Sequence, residues 1–106
     1  MFLEISRDGA GPRISLEDEN NFKAFHVTVP ATWSQKEITE NLESLGISFF
    51  PGSSTEVYVA KESVLELVGS RSKSWDESFE AMCSYAHSKG WTSPDGIQIK
   101  AHIQSA

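Results

Sequence analysis

The stretch FKAFHVTVPATWSQKEITENLESLG, residues 22–46, contains both periodicities from which the fold is read. In its first part Phe25, Val27 and Val29 alternate with Ala24, His26 and Thr28, so the two sets point to opposite sides of a strand. Pro30 ends that strand, because proline cannot donate to a sheet ladder. Ser34 and Glu37 then form the S-x-x-E pattern of a capping box, which satisfies backbone N–H groups that a helix start leaves free. Ile38, Leu42 and Leu45 follow at helical spacing, and Gly46 is a natural left-handed stop.

Downstream, ISFF and TEVYVA flank PGSS, which predicts a strand, a turn and a strand. KESVLELVG predicts a short helix stopped by Gly69, and GSRSKS a linker. The longest helix is expected to open at a second capping box, Ser74 to Glu77, and to bury Trp75, Phe79, Met82 and Ala86. SPDG turns the chain into IQIKAHI, a final strand with Ile97, Ile99, Ala101 and Ile103 on one face. Upstream, FLEIS and PRISLE predict a hairpin around the turn residues of RDGAGP, followed by an acidic loop, EDENN.

From His26 onward the order is strand, helix, strand, strand, helices, strand. That is the split β-α-β order of ferredoxin-like domains. The expectation is therefore a single α+β domain over residues 1–106. A small antiparallel sheet would carry helices on one face, preceded by an N-terminal β-hairpin that extends the sheet or covers its bare side. A sandwich with a different strand order is the alternative.

Composition excludes several classes of function. The chain of 106 residues has 15 acidic against 9 basic residues and a net charge of −6. Its lysines and arginines are scattered, apart from Arg71 and Lys73, so it lacks the basic footprint that nucleic acid or an anionic membrane selects. One cysteine allows no internal disulfide and no paired-cysteine zinc motif. MFLEISRDG has neither the basic start nor the apolar run of a signal peptide, and no apolar stretch reaches membrane-spanning length. The expected location is cytoplasmic, with no metal and no cofactor.

Each chemically suggestive motif has a simpler structural account. Cys83 and His87 stand one turn apart on the longest helix. There the cysteine reads as a small buried hydrophobe and the histidine as a cation suited to a helix end. The GSRSKSWDE segment resembles a phosphate loop, but Asp76 and Glu77 would repel an anion and the P-loop spacing is missing. Glu37, Glu40 and Glu43, flanked by Lys36 and Asn41, read as a solvent face. Asp95 belongs in a Pro-Asp-Gly turn.

The sheet is more informative. With Phe25, Val27, Ile47, Phe49, Val57, Val59, Ile97 and Ile99 towards the helices, opposite parity turns Ala24, His26, Thr28, Phe50, Tyr58, Lys100 and His102 outwards. His26, Thr28, Phe50, Tyr58 and His102 are the candidate binding face, with the two histidines on adjacent strands. The favoured function is a non-enzymatic module that self-associates or binds a protein partner through this face. The alternative is a small-molecule binder or small enzyme with a histidine general base on the same face.

Overall fold

The computed structural model describes all 106 residues. The elements run β1 (Phe2–Asp8), β2 (Gly11–Glu17), β3 (His26–Val29), α1 (Gln35–Ser44), β4 (Ser48–Phe49), β5 (Glu56–Ala60), α2 (Lys61–Val68), α3 (Lys73–Ser88) and β6 (Gln98–Ser105). The fold is α+β, with one six-stranded sheet in the order β2-β1-β3-β6-β5-β4.

The sheet is mixed, which corrects the antiparallel expectation. β1 and β2 pair antiparallel, with Asp8 opposite Gly11. β3 lies on the far side of β1 and runs parallel to it, Leu3 opposite Val27. β6 then lies parallel to β3 and antiparallel to β5. The split β-α-β order would have set β3 beside β5; here β6 separates them. Two things favour this arrangement. Residues 18–25 carry the chain from β2 past β1, so β3 meets β1 edge to edge. β6 buries Ile99 and Ala101 and is better satisfied with neighbours on both sides than at an edge. β1 and β2 thus extend the sheet at the end away from Phe50 and Tyr58, and they do not cover those two residues.

One face of the sheet carries the core. Leu3, Ile5, Val27, Val29, Val57, Val59, Ile99 and Ala101 are buried there with Ile38 and Leu42 of α1, Val64 of α2, and Trp75, Phe79 and Cys83 of α3. Two residues assigned to this face fall short of it. Phe25 precedes β3 and is half-buried, while Ile97 precedes β6 and is 58% exposed. α2 packs against both β2 and β5, the first and fifth strands in the order. Four strand spacings of about 4.8 Å make ~19 Å, whereas an eight-residue helix is only about 12 Å long. The sheet therefore curls around α2.

Local chemistry sets the helix ends. The Ser34–Glu37 capping box forms: Glu37 N–H donates to Ser34 Oγ at 3.2 Å, and Ser34 N–H to Glu37 Oε1 at 3.0 Å. α3 starts two residues earlier than expected. Its N-cap is Ser72, which accepts from Trp75 N–H at 3.1 Å, so Ser74 is inside the helix. The earlier start is compatible with the same serine chemistry and adds half a turn of helix. Both α1 and α3 end in a Schellman motif around glycines with φ of +76°. Ile47 N–H reaches Leu42 O at 3.0 Å, and Trp91 N–H reaches Ala86 O at 2.8 Å. Asn41, assigned to the solvent face, is buried instead. It accepts from Arg7 Nη1 at 2.8 Å and donates to Glu37 O at 2.7 Å, tying α1 to β1.

Candidate functional site

The outward sheet face is built from strand pairing. His26 is the register partner of His102, which in turn lies opposite Glu56, and Lys100 lies opposite Tyr58. Thr28 stands between Glu4 and Gln104. The five candidate residues form two groups. His26 and His102 share one row, with the His26 ring stacked on Phe2 at 4.8 Å. Phe50 and Tyr58 make a separate tilted pair at 5.5 Å.

Charged side chains occupy the space between these groups. Lys100 Nζ lies 3.3 Å from Glu56 Oε2 and 4.3 Å from the centre of the Phe50 ring. His102 Nε2 lies 4.0 Å from the same Glu56 oxygen. Lys100 and Glu56 are 22% and 25% exposed, so this pair is screened less than an open surface pair. His26 titrates below its ordinary range, first because burial disfavours the charged ring and then through repulsion by the N-terminal ammonium.

The principal cavity, about 430 Å³, opens beside this row. It exists because the β3 ladder on β6 stops at His102. Further along the same edge Trp91 takes over: Lys100 N–H donates to Trp91 O at 2.8 Å, and Thr92 bridges Ile99. Ala101 lies between these two contacts and forms part of the cavity wall. Met82, Tyr85 and Ala86 of α3 form another wall, and Phe22 and Phe25 of the preceding loop a third.

Two local features hold these walls in place. Trp75 donates from Nε1 to Glu19 O at 2.9 Å, stacks on Phe79 at 5.1 Å and meets the edge of Phe22 at 5.6 Å, pinning the loop to α3. The Schellman turn sets Trp91 against Tyr85, with rings 6.0 Å apart and nearly perpendicular. Trp91 and Tyr85 remain 50% and 58% exposed, which is unusual for such large apolar groups. Lys23, Lys100 and Glu56 supply the charged part of the lining, and His102 a further polar group.

Of the five candidate binding residues only His102 touches the cavity, joined there by Ala24 and Lys100 of the wider outward set; His26, Thr28, Phe50 and Tyr58 do not line it. Sequence reasoning missed Phe22, Lys23, Glu56, Tyr85 and Trp91 as lining residues. Two signals were available: aromatic residues on either side of a glycine helix stop, and Glu56 sharing the parity of Tyr58.

The remaining candidates take structural roles. Cys83 is buried, and burial pushes its thiol up to about 11 against the opposing pull of Lys61. It also borders a smaller cavity of about 300 Å³ near Lys61, His87 and Asp95. Thr92 Oγ1 donates to Ser93 O at 3.0 Å, so the 2.7 Å contact from His87 Nδ1 is a donation to Thr92. Arg71 pairs with Asp76 at 2.9 Å. Asp95 accepts from Ser93 Oγ at 2.6 Å and Ile97 N–H at 3.0 Å, bonds that hold its carboxyl below the usual range. No three His, Cys, Asp or Glu side chains converge as a metal site would require, and no helix is long and apolar enough to cross a membrane. Compared with known proteins, the chain matches no family model, no curated protein and no solved structure.

Proposed function

We propose that the protein binds a small, largely apolar molecule in the cavity between α3, the residue 22–25 loop and β6. The supporting observation is the cavity itself: about 430 Å³, walled mainly by aromatic and aliphatic side chains, with a few charged groups gathered along β6. Sites for small molecules combine these features, the apolar walls supplying affinity and the few polar groups orientation. At about 30 Å³ per water-sized group there is room for roughly 14 such groups.

The reading favours binding over proton transfer. His102 is the only histidine lining the cavity, and its Nε2 lies 4.0 Å from Glu56, beyond the hydrogen-bond distance that orients a general base. Cys83, on the cavity wall, is held as a thiol by burial and makes a poor nucleophile.

The test is a two-dimensional NMR titration with octanol and, separately, indole, followed at the Trp91 indole N–H and the Met82 methyl. Saturable shifts at both positions are expected, with no shift at Trp33, which packs against the core and does not line the cavity. If both signals stay still up to the solubility limit of both probes, the reading fails.

A second reading is association with a protein partner or a second copy through His26, Thr28, Phe50, Tyr58 and His102. It is supported by the accessibility of that face, on which none of the five is fully buried. It predicts a sedimentation coefficient that rises with concentration and a rise abolished by Tyr58→Glu. A concentration-independent monomer contradicts self-association.

A further inference from the structure

We infer that the cavity selects an amphipathic acid, with an apolar body against Phe22, Met82 and Trp91 and a carboxylate meeting Lys100 and His102 at the β6 side. This inference rests on the small-molecule reading above and adds the ligand's charge. Its basis is a local inversion of charge. The chain as a whole carries 15 acidic against 9 basic residues, yet the cavity lining contains Lys23 and Lys100 against the single carboxylate of Glu56, with His102 adding a ring N–H that can donate to an anion.

Lys100 is suited to the role by its setting. Its ammonium is held between the Phe50 ring at 4.3 Å and Glu56 at 3.3 Å, and it is only 22% exposed. An ammonium has three donors, so Glu56 leaves capacity for a second carboxylate. Lys100 is therefore placed before the ligand arrives, which lowers the ordering cost of binding. Partial burial also strengthens its attraction for an anion relative to an open surface lysine.

The opposite charge fits poorly. A cationic ligand would meet Lys23 and Lys100 on entry, and the one compensating carboxylate is already shared between Lys100 and His102. The Tyr85 ring, which would be one face of an aromatic cage for a cation, already has Lys89 Nζ 5.5 Å from its centre.

Three probes with one tail separate the possibilities: octanoate, octanol and octyltrimethylammonium, each titrated by calorimetry and by the Trp91 indole signal. Octanoate is expected to bind about tenfold more tightly than octanol, through a charge-assisted contact the alcohol cannot make. Lys100→Met should abolish that preference, so that octanoate and octanol bind the variant equally, and a Trp91 indole signal that still responds to octanol reports that the cavity is formed. The double variant Lys100→Met/Glu56→Gln removes the unpaired carboxylate and should behave the same way. Equal binding of octanoate and octanol by the unsubstituted protein would overturn the charge assignment and leave the small-molecule reading standing. Tightest binding by octyltrimethylammonium would overturn it in favour of a cation held on the aromatic wall. No binding of any probe would overturn both.

Discussion

Replacing Trp75 by phenylalanine tests how the cavity wall is held. Trp75 is 7% exposed, and its indole N–H donates to the Glu19 carbonyl 56 residues away in sequence. Phenylalanine keeps an aromatic ring for stacking on Phe79 but cannot make that bond and is smaller by three ring atoms. Loss of the hydrogen bond costs about 1 kcal/mol, since the part-exposed carbonyl can recover a water. The missing apolar bulk costs about 2 kcal/mol more at ~0.8 kcal/mol per buried carbon. An unfolding entropy of about 2.1 cal/mol/K per residue, taken over 106 residues, gives roughly 0.22 kcal/mol/K. A total near 3 kcal/mol therefore lowers the melting midpoint by about 10–14 °C.

Far-UV circular dichroism is the appropriate assay, because tryptophan fluorescence changes with the substitution itself. Trp91→Phe is the control: its ring is half exposed and donates no side-chain hydrogen bond, so the expected change is within about 0.5 kcal/mol. The loop should also loosen, so that amides of residues 19–25 exchange faster in the Trp75 variant. A Trp75→Phe protein as stable as the Trp91→Phe control, with unchanged exchange in that loop, would refute the account of Trp75 as the loop's anchor.

Other outcomes follow from single contacts. Ser34→Ala removes the acceptor of Glu37 N–H and half of the α1 capping box, so urea denaturation should show a loss of about 1 kcal/mol with unchanged m-value. Cys83, with its thiol raised from 9.0 to about 11, has about a hundredfold less thiolate than an open cysteine near neutral pH. Iodoacetamide should accordingly label it only on unfolding, and rapid labelling of the native protein would show that the thiol is open. His26 has a depressed titration point in the fold, so the unfolded chain takes up its proton first as the pH falls. The stability contribution is intact above the unfolded value of about 6.5, falls below it, and levels off once folded His26 is protonated as well. Urea midpoints measured from about pH 7.5 to about pH 5 should therefore fall more steeply for the native chain than for His26→Gln, whereas parallel curves would argue against a shifted His26.

Much of the local structure could be read directly from residues. The alternation of Val27 and Val29, the Ser34–Glu37 capping box, and Gly46 and Gly90 as helix stops are short-range signals, because a strand face, a cap and a left-handed turn each depend on residues within one turn of each other. The α+β class follows from their order. Errors arose where two local solutions compete or where a segment leaves its element. Ser72 and Ser74 are both competent caps, and Phe25 and Ile97 continue the strand pattern but lie just outside the strands.

Strand neighbours and the cavity were decided only in three dimensions. Parity assigns His26 and His102 to the outward face, but periodicity has no term for which edge meets which. The sequence pattern therefore could not show that β1 would join β3 in parallel or that β6 would separate β3 from β5. The cavity depends on that arrangement, because it is the gap where β3 stops along β6 and Trp91 takes over. Its lining comes from residues as distant as Phe22, Glu56 and Trp91, each unremarkable in its own segment. The sequence by itself determined which residues are apolar, where α1 and α2 begin and end, where α3 stops, and a net charge of −6. Only the tertiary structure decided that two lysines, a histidine and a set of aromatic rings share one concave site, because long-range packing sets that proximity and no local pattern records it.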